Sequence, residues 1–336
     1  MPDMPTPRRI ELPPQQHEAR TEAPITLSVH EAGSGPAVVL SHGFPELAYS
    51  WRHQIAPLAH AGYRVIVPDQ RGYGASDAPE GIETYDIDHL TGDLVGLLDA
   101  LDVERAVFVG HDWGGFVCWA MPMLHPDRTA GVIGVNTPYT PRTPMPPTEM
   151  MKMLVGGDLE KMYVLWFQEP GVAEGVLDTR AALVFDKLLR TPIDPVQAAA
   201  RMMESGSLDM NPFRRLEEIE TMGEPLVPAE EIAVYVDAFE RSGFRGGVSW
   251  YRNFDRNWER HPEIGVEKID VPTLMVTAEW DAALPPTMAA GMPALCKDLE
   301  VKQIAECGHW TMQEKPDELN ALLVDWLQRR FPPSHS

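Results

Sequence analysis

The sequence predicts an α/β fold: a mostly parallel, doubly wound sheet interrupted by an inserted helical cap domain. Three observations carry this. Short β-branched runs alternate with amphipathic helical stretches from about residue 25 to residue 138, and again near the C-terminus, the pattern of strand–helix–strand units in a parallel sheet. Between these parts a Pro-rich link, PYTPRTPMPPTEMM, opens a long stretch of helical spacing with no clear buried strand. Polar residues of catalytic type stand just after four of the strands, where open α/β sheets bind ligands. The boundaries read as core over 1–139, helical insert over 140–257 and core again over 258–336.

The elements follow in order. The first ~24 residues are rich in Pro and charge and read as a lead-in, with a short edge strand around Arg9–Leu12. ITLSVHEAG alternates like a strand, and AVVLS is a buried strand ending in the Gly/Pro loop SHGFPE. WRHQIAPLAHAGY has helical spacing and stops at Gly62. RVIVPD is a strand, and TYDIDHLTGDLVGLLDAL is a helix by its apolar period. AVFVG, GHDWGG and FVCWAMPMLHP give strand, turn and helix, and GVIGVNTP is one more strand. After the insert, VPTLMVTAEWD reads as strand plus loop, PPTMAAGMPALC as a helix, and LEVKQIAECGHW as strand plus loop. ELNALLVDWLQRRF closes the chain as an amphipathic helix.

Composition narrows the function. The chain has 336 residues, 44% of them hydrophobic, enough for a substantial core. Its net charge of −22 repels nucleic acid and anionic membrane, so neither is expected as a partner, and a neutral or cationic small molecule fits better. Cys118, Cys296 and Cys307 are far apart and odd in number. They support neither a disulfide framework nor a metal cluster, and read as buried thiols in a reducing compartment. MPDMPTPRRIELPP has no apolar core of a signal peptide, and no window approaches ~18 uninterrupted apolar residues. A cytoplasmic protein without metal or cofactor is expected, with monomer and homodimer both open.

The chemistry centres on GHDWGG. Its Gly–x–Asp–x–Gly spacing between strand and helix is that of a turn that exposes a nucleophile, with Asp112 at the exposed position. The backbone N–H of Trp113, near the helix start, is free to bond an oxyanion. The structural alternative is a packing turn with Asp112 as helix N-cap. His309 in CGHW follows a C-terminal strand, and Asp281 stands in the preceding strand's loop, able to fix the imidazole tautomer. Glu279 is a rival acid that spacing does not exclude. HGFP supplies a second donor, the N–H of Phe44.

A carboxylate needs no deprotonation at neutral pH, and it attacks a saturated carbon bearing a strained or good leaving group. The product is an ester on Asp112, which a water activated by His309 then hydrolyses. A halide leaves without a proton; an epoxide oxygen needs an acid. Tyrosine, with a pKa of about 10, is protonated and able to donate. The insert offers Tyr163 in KMYVLWFQEPGVAE and Tyr251 in SGFRGGVSWYRN, with Tyr235 as a packing decoy.

GHDWGG, HGFPE, FQEPGVAE, SGFRGGVSWYRNFDRNW, MVTAEWD and ECGHWTMQEKP together resemble the epoxide hydrolases of the α/β-hydrolase fold, most closely the soluble, cytosolic type and its bacterial and plant relatives. The likeness covers about residues 25–331. The order nucleophile, acid, histidine also matches that fold. The resemblance implies Asp112 as nucleophile, His309 as water-activating base and Asp281 as its partner. It implies Tyr163 and Tyr251 as the acids at the epoxide oxygen, and the N–H groups of Phe44 and Trp113 as the oxyanion hole. It also admits a cis Phe44–Pro45 peptide. The implied substrates are a small apolar epoxide and water.

His42, Pro45, Trp166, Phe167 and Trp310 are candidate pocket residues; Trp166 stands before FQEP where the family commonly has Tyr. Met150, Met151, Met153, Met162, Met202 and Met203 read first as helix packing and second as an adaptable apolar lining. The nearest rival is a haloalkane or haloacid dehalogenase with the same Asp–His–Asp set. Against it, Phe44 stands where many haloalkane dehalogenases carry a halide-binding Asn. A non-catalytic ligand-binding protein predicts a lost site residue, yet every position is filled. A serine esterase lacks its Ser at the elbow.

Overall fold

The computed structural model describes residues 4–14, 16–17, 20–21, 23–194, 196, 210–218 and 221–333. The main sheet is built from β1 (Arg8–Glu11), β2 (Thr26–Ala32), β3 (Ala37–Ser41), β4 (Arg64–Asp69), β5 (Ala106–His111), β6 (Thr129–Val135), β7 (Thr273–Ala278) and β8 (Leu299–Ile304). Their spatial order is β1-β2-β4-β3-β5-β6-β7-β8. β2 runs antiparallel to β1 and β4, and the other neighbours are parallel. β3, β5 and β7 are buried along their whole length, which is why they read as unbroken apolar runs rather than as alternation.

The strand period of two divides the interior into two cores. Val38, Leu40, Val107 and Val109 face α1 (Arg52–His60) and the C-terminal helix Pro316–Arg330, where Ile55, Leu58, Leu323 and Trp326 cover them. Val39 and Phe108 face the other way, towards α2 (Ile87–Ala100) and α3 (Trp113–Leu124). Asp86 caps α2, its carboxylate accepting the His89 N–H at 3.1 Å.

Between β6 and β7 the described residues form α4 (Pro147–Leu154), α5 (Tyr163–Trp166), α6 (Val172–Leu177), α7 (Ala181–Leu188), α8 (Ala229–Ser242), α9 (Arg245–Arg252) and α10 (Phe254–Arg260). Apart from isolated bridges such as Met162 with Met210, no strand occurs among them. Their apolar residues, including Val184, Phe185, Phe239 and Trp250, are continuous with the α2/α3 core. Met202 and Met203 lie outside the described residues.

One expected helix differs. PPTMAAGMPALC forms a 3-10 stretch, Pro286–Gly291, followed by a single α-turn, α11 (Met292–Leu295). Although the segment is rich in Ala and Met, Gly291 and Pro293 fall inside it, and Pro293 lacks an N–H and crowds the preceding turn, so no continuous α-helix forms. The chain closes with α12 (Thr311–Glu314) and α13 (Pro316–Arg330). Aspartate and glutamate in the first turn of α13 and arginines in its last complement the helix dipole. All three cysteines are buried free thiols. No helix among the described residues is long and apolar enough to cross a membrane.

Candidate active site

β5 ends at His111, and the chain turns sharply into α3 through Asp112, at φ 48° and ψ −123°. A non-glycine residue there is strained. The turn is possible because backbone from the first turn of α3 and from the end of β3 closes in on glycines. A Cβ on Gly110 would fall 2.2 Å from the Gly114 carbonyl oxygen, and one on Gly114 would fall 2.1 Å from that of Ser41. The Asp112 side chain makes no helix-capping bond. Instead its Oδ1 accepts the Phe44 N–H at 2.8 Å, and the Trp113 N–H also bonds the carboxylate. The Phe44–Pro45 peptide is cis. Burial pushes the Asp112 pKa up, and His309, His111 and the two N–H groups offset only part of this.

His309 follows β8. Its Nδ1 lies 3.0 Å from Asp281 Oδ2, and its Nε2 lies 4.0 Å from Asp112 Oδ2. Asp281 Oδ1 also accepts the N–H groups of Ala283 and Leu284 at 2.9 and 3.0 Å, and its Oδ2 accepts from Asn136 at 2.7 Å. Burial alone would raise the Asp281 pKa, but His309 and these donors hold it well below the usual carboxylate range. Burial alone would lower His309; the Asp281 charge and hydrogen bond, with Asp112 and Glu46 beyond, carry it up to about 9. Glu279, the rival acid, is exposed and accepts the Glu306 N–H at 2.9 Å.

Three polar residues that the sequence reading passed over support this arrangement. Glu46, fully buried, accepts the Gly43 N–H at 2.5 Å and lies 3.1 Å from His111 Nδ1. His111 Nε2 donates to the His309 carbonyl at 2.7 Å, and the two imidazole rings stand 4.8 Å apart. Asn136, at φ 63°, bonds Asp281 and the Gly308 carbonyl and accepts from Thr311. Each sits inside or beside a motif already singled out: HGFPE, GHDWGG and GVNTP.

Across the cavity, Tyr163 begins α5 and Tyr251 lies near the end of α9. Their rings are 5.6 Å apart and their hydroxyls share a hydrogen bond. Tyr251 also packs edge-on against Phe44 and Trp113, at 5.3 and 5.2 Å. Burial, with the Asp112 charge among the further causes, pushes both phenols above their ordinary pKa, so they stay protonated. Tyr235 shares a hydrogen bond with Ser50 and packs on Phe185.

Asp112, Trp113, Tyr163 and Tyr251 line one cavity of about 1020 Å³. Methionines 150, 151, 162, 210 and 288 form much of the remaining wall, whereas Met153 is exposed. The five pocket candidates stand behind this wall instead of in it. His42 is fully buried, its Nε2 accepting the Gln70 N–H, and Pro45 is buried in the same loop. Phe167 is buried against Tyr163 and Tyr251, and Trp166 packs on Phe167. Trp310 turns its indole N–H to the Leu188 carbonyl at 2.7 Å. No group of three or more His, Cys, Asp or Glu able to hold a metal ion occurs among the described residues.

A family profile described as alpha/beta hydrolase fold matches residues 36–169. The chain is 44% identical over 313 residues to Epoxide hydrolase A of Mycobacterium tuberculosis, covering 90% of this chain and 94% of that protein. It is 43% identical to the Bifunctional epoxide hydrolase 2 of Sus scrofa, spanning 90% of this chain but 53% of that longer one. Among solved structures, Epoxide Hydrolase A from Mycobacterium thermoresistibile superposes with a TM-score of 0.84 at 41% identity, over 96% of this chain and 98% of that one.

Proposed function

The chain belongs to the epoxide hydrolases of the α/β-hydrolase fold, and from that premise we propose how its own residues convert an apolar epoxide and water into a diol. The Asp112 Oδ2 oxygen attacks a ring carbon, because Oδ1 is held by the Phe44 N–H. As the carbon–oxygen bond of the ring breaks, Tyr163 or Tyr251 donates a proton to the leaving oxygen. The result is a hydroxyalkyl ester on Asp112.

The second half uses His309. In the free enzyme two carboxylates, Asp281 and Asp112, help carry its pKa up to about 9. Esterification removes the Asp112 charge, so the imidazole becomes easier to deprotonate at the moment a base is required. The imidazolium gives its proton back to the tyrosinate left by ring opening; the neutral ring then takes a proton from water, and the hydroxide attacks the ester carbonyl carbon. The N–H groups of Phe44 and Trp113, which already bond the carboxylate, face the oxygen on which negative charge develops. Collapse expels the diol oxygen, which the imidazolium protonates, and leaves Asp112 as the carboxylic acid; its proton passes to the imidazole, which restores the carboxylate and the imidazolium. The proton lost by the tyrosine returns within the same cycle, so no net charge change remains.

The helical insert, taken as residues 140–257, acts in this reading as a cap that brings the acids over the strand ends. The methionine-rich wall suits a broad range of apolar epoxides. A cytoplasmic location fits the three buried thiols.

The observation that carries the mechanism is one carboxylate held by two backbone N–H groups with two tyrosines lining the same cavity. A single turnover in oxygen-18 water tests it. Label is expected in Asp112, with unlabelled diol in the first turnover. Label passing straight into that first diol would mean direct attack by water. Chloride release from a haloalkane, with no diol from styrene oxide, would favour dehalogenation instead.

A further inference from the structure

The two tyrosines come from segments more than 80 residues apart in sequence, and neither segment is long. α5 has 4 residues and α9 has 8. Helices this short do not hold their own position; tertiary bonds must do it. The bonds present are reciprocal. Gln168, just after α5, donates from Nε2 to the Val164 carbonyl at 2.8 Å and to the Tyr251 carbonyl at 3.1 Å. Arg252, the residue after Tyr251, donates from Nε to the Phe167 carbonyl at 2.7 Å and from Nη2 to the Glu169 carbonyl at 3.2 Å. Each segment thus sends one side chain to the other's backbone, beside the tyrosine it carries or within a few residues of it.

Glu174 completes the unit. Its two oxygens meet Arg252 Nη1 and Nη2 at 2.6 and 2.9 Å, and it also accepts the Gly171 N–H at 3.0 Å. The pair is largely withdrawn from solvent, with side-chain exposures of 4% for Arg252 and 13% for Glu174. A forked guanidinium in such a setting is fixed in direction as well as place. The arginine therefore cannot swing away from the carbonyls without leaving a shielded carboxylate unpaired.

We infer that Gln168, Arg252 and Glu174 form a polar clamp that sets the spacing and aim of Tyr163 and Tyr251, making them positioning residues for the ring-opening step. The inference rests on the reading of the two tyrosines as acids. It accounts for the FQEPGVAE segment: Gln168 and Glu174 supply the clamp, the Phe167 and Glu169 carbonyls receive it, and Gly171, at φ 85°, turns the chain into α6. Catalytic acids tolerate little misplacement, and a shift of about 1 Å costs on the order of 100-fold.

Single-turnover kinetics with quenching and intact-mass detection separate ester formation from ester hydrolysis. Gln168→Met keeps the length and volume and removes both donors without leaving a charge. Arg252→Gln removes the fork, and Arg252→Lys keeps the charge with a poorer geometry. Ester formation is expected to slow by about 10- to 100-fold in Gln168→Met and Arg252→Gln. Hydrolysis is expected to stay within about twofold, since that step uses none of these groups, and Arg252→Lys should recover part of the loss. Wild-type ester formation in Gln168→Met, beside a slow Tyr163→Phe/Tyr251→Phe control, would overturn the clamp while leaving the tyrosine reading intact. Equal losses in both steps, tracking a fall in melting temperature, would also overturn it, as a purely structural effect. A control double variant that forms ester at the wild-type rate would overturn the acid assignment and the clamp with it.

Discussion

Asp112 and Tyr251 line one cavity, yet the two residues are held by different means. Asp112 is held by backbone: a strand, a strained turn, glycines against carbonyls 2.1 and 2.2 Å from where a Cβ would sit, and main-chain N–H donors. Tyr251 is held by side chains: edge-on aromatic rings around it and the Gln168 amide on its carbonyl. A backbone-built site admits almost no adjustment, because its geometry is that of the sheet. A site built from side chains changes when any one of several residues changes. On the proposed mechanism the first side does the covalent chemistry, which repeats for every substrate. The second meets an oxygen whose place depends on what is attached to the ring.

The contrast is tested most severely on the backbone-built side. Asp112→Ala should reduce diol formation by at least about 10⁴-fold, measured by chromatography on a small epoxide panel; appreciable diol would remove the nucleophile from the scheme. His309→Gln should still form ester but slow its hydrolysis by about 10²- to 10⁴-fold, so that the mass of the alkylated protein accumulates. On the side-chain-built side, Tyr163→Phe with Tyr251→Phe should slow ring opening by about 10²-fold or more. Near-full activity in that double variant would leave the cavity's far wall without a chemical role.

A smaller effect concerns stability against pH. The pKa of His309 is raised by folding, from about 6.5 in an unfolded chain up to about 9. Its contribution to stability is therefore complete below about pH 6.5 and is lost as pH rises through about 9. The melting temperature should fall across that interval, and His309→Gln should flatten part of the fall; an unchanged slope would mean the imidazole is not charged in the free protein. His261, raised by Asp88 and Glu263 although burial opposes it, adds a decline of the same sign that the variant leaves in place. The smallest expected effect is at Glu279. Glu279→Gln should leave kcat/KM near wild type, whereas Asp281→Asn should lower it strongly, distinguishing two acids that stand two residues apart.

The strands and the elbow were legible because their signals are local. AVVLS and AVFVG announce strands buried on both faces, and the glycines of GHDWGG announce a turn that larger residues do not permit. Glu279 and Asp281 were not separable from sequence. They share one loop, and only the folded chain sends one carboxylate to His309 and the other to Glu306. Glu46, His111 and Asn136 went unread for a related reason: nothing in their spacing shows which carbonyl or carboxylate they meet. The pocket candidates are neighbours in sequence of site residues or motifs, and adjacency in the chain does not decide which side chains line the cavity. Trp310 is next to His309 in the chain, but its indole is committed to Leu188. Met151 and Met153 are equally hydrophobic in sequence; one lines the cavity and the other is 70% exposed, because they occupy different faces of α4.

The sheet's division of the interior has a consequence for how the molecule comes apart. The α1/α13 side forms its own core, while the helices between β6 and β7 share theirs with α2 and α3. Heat or denaturant that loosens those helices also strips the cover from Val39, Phe108 and Trp113. Loosening of the helices between β6 and β7 is therefore coupled to the α2/α3 face of the sheet and does not stop at the chain boundaries of the insert. A protease acting on partly opened molecules is expected to find the α2/α3 side and the helices between β6 and β7 released together, since they share one apolar core.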